Sequence, residues 1–263
     1  MVDDPGCFGR IAAANALSDI YAMGARPLTV MNLVGFPACL EQVPGGGRVL
    51  FGGQTVEDDE PKFGLAVTGI VDPKNLVSTV GALPGDRLVL TKPLGTGMLA
   101  TSLNWVVISE TQMQHAIRGM EQLNRYAAEA MLSVGVHACT DITGFGLLGH
   151  ALELAEASRV GLEIEPGSLQ VYPEVPDLAA IGLVPAGSYH NRQHYLPHVV
   201  DGELLPPEII DILADPQTSG GLLICVAENK LAWLCRELEA KGSNAFVIGR
   251  VVEQNPGKLK VRI

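Results

Sequence analysis

Basic side chains are scarce: 18 Lys and Arg face 29 Asp and Glu, a net charge of −11. No basic stripe exists to neutralise phosphates and release counterions, which excludes broad nucleic-acid binding. A phosphorylated substrate would then need a divalent cation as intermediary. Aromatics are only 5% of the 263 residues, and no long apolar run is present. The 30 Gly and 17 Pro favour many short elements joined by tight turns over a bundle of long helices. The five cysteines, Cys7, Cys39, Cys139, Cys225 and Cys235, form no CxxC or Cys/His ligand spacing. Neither a structural zinc nor a disulfide framework is expected, and a reducing cytoplasm is. No segment approaches the roughly 20 apolar residues that cross a bilayer, and the Met-Val-Asp-Asp start has no basic or apolar leader pattern, so no membrane partner is expected. With 47% hydrophobic residues the chain must collapse around a core, and its length suits one large or two ordinary domains.

Helical spacing runs from Phe8 to Met23, with Leu17, Ile20 and Tyr21 on one side and Gly24 placed to end the helix. Strands are expected at Pro27–Val34, Arg48–Phe51 and Phe63–Val71. Leu83-Pro84-Gly85-Asp86 is a turn followed by a fresh apolar strand, Arg87–Leu90, and marks a division into domains 1–84 and 85–263. Beyond it a helix opens at Gly95-Thr96-Gly97 and a longer one covers about Gln112–Val134. A strand at His137–Ile142, a helix at Leu147–Ala157 and a strand at Val160–Ile164 follow. The Pro- and Gly-rich stretch Leu169–Pro207 reads as loop or short helix. A strand at Leu222–Val226, a helix at Asn229–Lys241 and strands at Ala245–Val252 and Leu259–Ile263 close the chain. Strands and helices mix without a strict βαβ beat, which points to α+β.

Several constellations bear on chemistry. Asn15 and Asp19, four apart, share a helical face beside the small Ala12 and Ala22; they are hard-oxygen ligands suited to Mg²⁺, or simply a solvated face. Gly52-Gly53-Gln54-Thr55 after a short strand is either an anion nest or a tight turn. Gly144-Phe145-Gly146-Leu147-Leu148-Gly149 has the GxGxxG outline of a dinucleotide site, but the preceding polar Thr140-Asp141 contradicts that fingerprint. Asp141 makes better sense as a metal ligand, or else Asp141 or Thr143 caps the next helix. Lys92, ahead of Gly95, could be offered with a helix N-terminus to an anion, unless the segment is only a connection. Asp215-Pro216-Gln217-Thr218-Ser219-Gly220-Gly221 reads as a polar turn. The histidines His115, His137, His150, His190, His194 and His198 lack metal spacing and are assigned to surface or core.

Together these segments resemble the selenophosphate synthetases (selenide, water dikinases). The resemblance rests on Val2-Asp3-Asp4-Pro5, Phe8 to Ala13, Asn15 to Gly24, Phe63 to Gly69, Leu90 to Gly95, Thr140 to His150 and Asp215 to Leu223, in the family's order along the whole chain. It implies the two-domain fold of aminoimidazole ribonucleotide synthetase (PurM-like), with an N-terminal domain that dimerises through its sheet and a C-terminal α+β domain. It also implies ATP bound between the domains, its phosphates held through Mg²⁺ by aspartates, and selenide converted to selenophosphate with release of AMP and phosphate. Carried over by residue, Asp19 would bind Mg²⁺ and ATP and Asp141 would bind Mg²⁺. Gly52, Gly53, Gln54 and Thr55 would contact the nucleotide, from the same subunit or its partner, with Asn15 assisting.

The chain departs from the family pattern in two places. The family's N-terminal segment, with a reactive Cys or selenocysteine, its neighbouring Lys and further metal-binding aspartates, does not precede Met1, and Cys7 is no substitute. Between Val43-Pro44 and Gly45-Gly46-Gly47 the chain is short by about one helix. A truncated N-terminal domain and little or no synthase activity of the chain alone are therefore expected, because phosphoryl transfer depends on positioning and charge neutralisation. The competing readings are a nucleotide-binding regulatory partner, forming a homodimer or pairing with a full-length homologue, a kinase or cyclase of another small metabolite, and, last, a nicotinamide enzyme.

Overall fold

The computed structural model describes residues 2, 4–36, 53–57 and 62–262, with the backbone alone at 36 and 53–57. The chain opens with helix α1 (Pro5–Ala22). Asp4 starts it by accepting the Cys7 N–H, and Pro5 sits in the first turn, where its missing N–H costs nothing. That pair of signals moves the start ahead of Phe8. Gly24, at φ +69°, ends it as expected.

Strands β1 (Arg26–Phe36), β2 (Gly53–Glu57) and β3 (Lys62–Ile70) form a sheet in the order β2-β1-β3. β2 runs parallel to β1 and β3 antiparallel, and α1 packs against β3. The face turned away from α1 is open, with Leu28, Met31, Leu33 and Ile70 exposed; Val30, in register with Val67 on the other face, is exposed too. The strand expected at Arg48–Phe51 and the shortening at Val43–Gly47 lie outside the described residues.

A second sheet begins after the Pro84-Gly85 turn, which closes with the Asp86 N–H on the Leu83 carbonyl at 3.0 Å. It contains β4 (Asp86–Leu90), β5 (Ala138–Asp141), β6 (Gly161–Ile164), β7 (Val199–Val200), β8 (Leu222–Ala227), β9 (Phe246–Val252) and β10 (Leu259–Val261). Their order is β5-β8-β4-β9-β6-β10-β7. The five strands from β5 to β6 pair antiparallel, and only β10 pairs parallel with its neighbours. This is an α+β sheet. It also removes the dinucleotide reading, because β5 is flanked by antiparallel β8 and not by the parallel strand that a βαβ crossover requires.

Successive residues of β8 enter opposite cores: Leu223 and Cys225 pack with α5 (Gly146–Ser158), while Leu222, Ile224 and Val226 pack with α4 (Arg125–Val134) and α9 (Leu231–Ala240). A third core joins α2 (Thr96–Asn104), α3 (Glu110–Glu121) and α6 (Val175–Ala180). α1 contributes Cys7 and Ile11 to that third core and Tyr21 and Ala22 to the α4–α9 core. It therefore binds the small sheet to the large body. The stretch 169–207 folds as short helices, α6 and α7 (Ala186–Tyr195), before α8 (Pro207–Ala214).

The single helix expected over Gln112–Val134 is two. α3 starts with a capping box, Ser109 and Gln112 bonding reciprocally, and stops at Gln122, whose backbone is extended (φ −66°, ψ 123°). No Pro or Gly marks the break. Tertiary partners make it: the Gln122 carbonyl accepts Lys92 Nζ at 2.7 Å, and the Asn124 amide donates to Ser18 Oγ and the Gly220 carbonyl, both at 2.9 Å.

Candidate active site

Two carboxylates far apart in the chain meet where α1 lies against β5, an edge strand among the described residues. Asp141 is the last residue of β5 and is 5% exposed; Asp19 is on the open face of α1. Their carboxyl groups are hydrogen-bonding neighbours. Partial burial, then the charge of Asp141, push the Asp19 carboxyl above its usual range, and nearby His150 offsets part of that rise. Two acids so placed either share a proton or attract a cation. This explains the polar end of β5 that helix capping left over. Thr143 does not cap α5 either: Phe145 occupies the cap position without a side-chain bond, and Thr143 Oγ1 lies 3.2 Å from His150 Nε2.

Asn15 precedes Asp19 by one turn, and its Oδ1 accepts the Ser219 N–H at 3.1 Å. His150, assigned from sequence to surface or core, belongs to this cluster. It is 9% exposed, with Nδ1 3.5 Å from Glu153 and its ring tilted against Phe145, centroids 5.5 Å apart. Burial lowers its proton affinity, and Glu153 and Asp19 oppose that fall. The signal available was the Thr143–His150 spacing, which brings a loop hydroxyl over a helix face.

Other expectations are corrected. Lys92 does not face an anion at a helix N-terminus. Its Nζ is turned inward onto the Gln122 and Ser219 carbonyls at 2.7 and 2.8 Å, and burial lowers its pKa to about 7. The N-terminus of α2 is filled instead by Gln217, whose Oε1 accepts from the Gly95 and Thr96 N–H groups at 3.1 and 3.3 Å. Gly53, Gln54 and Thr55 are not a turn or a nest, since they pair in register with Asn32, Leu33 and Val34 as the start of β2. Gly52 lies outside the described residues.

The Asp215–Gly221 turn does more than connect. Gly220 and Gly221 leave no room for a side chain: a Cβ would lie 2.1 Å from the Ile142 carbonyl oxygen and 2.5 Å from the Lys92 nitrogen, respectively. The turn thus fits between the end of β5 and the end of β4. Asp215, fully buried, accepts the Gly97 N–H at 3.0 Å and the Gln217 amide at 2.8 Å; burial nonetheless lifts its pKa to about 7.

Among the described residues no group of three or more His, Cys, Asp or Glu gathers as a metal cage. The Asp19–Asp141 pair supplies two hard-oxygen donors on one side of a site, which matches a cation that keeps waters and completes its shell with substrate phosphates.

The comparisons with known proteins agree with this architecture. The family profile of the AIR synthase related protein N-terminal domain matches residues 1–71, and that of the C-terminal domain matches residues 84–262. The chain is 46% identical to the selenide, water dikinase of Caldanaerobacter subterraneus subsp. tengcongensis, covering 100% of this chain and 80% of that protein. It is 48% identical to the selenide, water dikinase of Citrifermentans bemidjiense, over 95% and 76% of the two chains. Among solved structures, thiamine-monophosphate kinase from Stenotrophomonas maltophilia superposes with a TM-score of 0.68 at 18% identity, over 97% of this chain and 78% of that one. Hydrogenase maturation protein HypE in complex with ATP superposes with a TM-score of 0.63 at 17% identity, over 96% and 75%. These distant structures share the two-part α+β fold, and the close relatives decide the kinship: the chain belongs to the selenide, water dikinase family of AIR synthase related proteins.

Proposed function

We propose that this chain is a phosphotransferase that binds ATP with Mg²⁺ at the Asp19–Asp141 pair and phosphorylates selenide. Selenide takes one phosphoryl group and water the other, so that ATP, selenide and water leave as selenophosphate, AMP and phosphate. The observation that carries the reading is the convergence of the two carboxylates on one open edge. It is supported by the names of the close relatives and by the ATP held in a structure of the same fold.

The donor set fits the metal: two adjacent carboxyls, one of them buried, repel each other unless a proton or a cation lies between them. When bound, Mg²⁺ would neutralise charge on the transferring phosphates. Asp141, fixed by the antiparallel pairing of β5 with β8, is the stationary ligand. Asp19 approaches from α1, and Asn15, already bonded to Ser219, orients that helix face. His150 stands behind Asp19 and Thr143 as a buried imidazole that limits water on that side.

The division at residue 84 places the small sheet and the large body in separate domains, with α1 as the joint. The exposed apolar face of Leu28, Met31, Leu33 and Ile70 is covered by a second copy in a homodimer. The Gly53–Thr55 stretch of β2, an edge strand among the described residues, then reaches the nucleotide of the partner subunit. No described helix is long and apolar enough to cross a membrane, and we place the enzyme in the cytoplasm.

The test is anaerobic incubation with ATP, Mg²⁺ and hydrogen selenide, followed by phosphorus NMR, beside calorimetric titration of Mg-ATP. The expected result is nucleotide binding and a slow selenophosphate signal with matching AMP and phosphate, both removed by Asp141→Asn. Absence of nucleotide binding, or transfer to another acceptor, would overturn it.

A further inference from the structure

Lys92 is an ionisable group where none is expected; burial lowers its pKa and the nearby Asp141 charge opposes that fall. Lys92 is 3% exposed, and among the described residues no carboxylate lies within ion-pair distance of it. Its ammonium is satisfied by two backbone carbonyls, Gln122 at 2.7 Å and Ser219 at 2.8 Å. Both belong to irregular backbone: Gln122 ends α3, and Ser219 is a left-handed residue at φ +53°. An ammonium withdrawn from water is unfavourable unless its bonds hold something that apolar packing could not.

Ser219 is the residue through which the two sides of the site communicate. Its carbonyl takes Lys92, its N–H is given to Asn15, and its hydroxyl donates to the Met120 carbonyl at 2.6 Å. The next carbonyl, Gly220, accepts from Asn124, which also holds Ser18, the neighbour of Asp19. On the opposite flank, the Gly221 carbonyl accepts the Ile142 N–H at 2.9 Å, directly after Asp141. A few residues of one turn are therefore bonded to α1, to the end of α3 and to the end of β5.

We propose that Lys92 is a positioning residue for the reaction: by clamping the Ser219 turn to the end of α3, it sets α1 at the height that brings Asp19 opposite Asp141 as a single cation site. This rests on the metal reading above and extends it to a residue that does not touch the metal. A competing account, in which Lys92 acts only as a nearby positive charge, makes the opposite prediction. Removing a cation that repels the metal would tighten binding, whereas removing a clamp loosens it.

The experiment titrates Mn²⁺ alone into the full chain and follows free Mn²⁺ by electron paramagnetic resonance. Asp141→Asn checks the site itself. Lys92→Met is expected to weaken Mn²⁺ binding by about tenfold or more, the usual effect of losing a group that orients metal ligands. Leu238→Ala, a fully buried core truncation in α9, controls for destabilisation alone and is expected to leave the affinity unchanged. Asn124→Ala, which cuts a second bond of the same turn, is expected to weaken binding about threefold; it decides the matter should Lys92→Met fail to fold. Unchanged or tighter binding in Lys92→Met, unchanged binding in Asn124→Ala, or a loss in Leu238→Ala equal to that in Lys92→Met overturns the proposal. Failure of the unaltered chain to bind Mn²⁺, or of Asp141→Asn to weaken binding, overturns the metal site and this inference with it.

Discussion

Asp141 and Asp19 face the same point from very different supports. Asp141 ends a strand whose four residues are all buried and whose neighbour, β8, contributes to cores on both faces of the sheet. Asp19 rides on a helix whose own three-stranded sheet leaves an apolar face open and whose outward side is solvated. The large body is packed on both faces of its sheet; α1 joins it through Cys7, Ile11, Tyr21 and Ala22 in the body's cores, and through polar cross-links at Asn15 and Ser18 beside Asp19. A site assembled from one residue of each depends on those cross-links for its geometry and on the body for its stability. The two can be broken separately.

The largest effect should come from the carboxylates. Asp141→Asn is expected to lower phosphoryl transfer about 10³-fold and the more solvated Asp19→Asn about 10²-fold, with both chains folded, as phosphorus NMR and circular dichroism would show. Equal losses would erase the contrast between the supports. Next comes stability. Leu148→Ala, at a fully buried position of α5, is expected to lose about 3 kcal/mol in urea unfolding, whereas Leu204→Ala, 81% exposed, should change it by less than about 0.5 kcal/mol.

A smaller effect tests the turn between the two regions through pH. Asp215 keeps its proton in the folded chain up to about pH 7, against an ordinary 3.8. The folded state therefore binds more protons in that window. The associated stability is fully present below the ordinary value and is lost as pH rises through about 7. The difference in unfolding free energy between the unaltered chain and Asp215→Asn should shrink by about 2 kcal/mol from about pH 5 to about pH 8; a constant or growing difference would show that Asp215 is ionised throughout. The smallest effect concerns the bare sheet face. Leu28→Asp is expected to weaken self-association about tenfold, or about 1.4 kcal/mol, in sedimentation equilibrium, and to leave the melting of the isolated chain unchanged.

Much of this architecture was legible because local chemistry decides it. Gly24, the Pro84-Gly85 turn and the alternation in Phe63–Val71 each mark an element without help from the rest of the chain. The Asn15–Asp19 spacing predicts that the two side chains share one face of a helix, and both lie on α1, one turn apart. What escaped depends on contacts between distant segments. The break at Gln122 has no local signal, because it is made by Lys92 and Asn124 reaching other segments. For Lys92 an anion site and a plain connection both stay open, since nothing in Thr91-Lys92-Pro93 says which way a lysine turns. His150 reads as surface or core because its local partners Thr143, Phe145 and Glu153 say nothing of Asp19, which only folding brings to it. The paired glycines suggest a nest or a turn, whereas β1 draws Gly53–Thr55 into a sheet.

β8 begins immediately after Gly221, and its residues alternate between two cores with Leu222 on one side and Leu223 on the other. Removing or adding one residue between Asp215 and Gly221 would rotate that alternation by half a period, sending each side chain into the wrong half of the interior while also pulling Ser219 off Asn15. In a deletion scan, this short stretch is where the chain should tolerate a change of length least, and descendants of this gene should keep its length even where they change its letters.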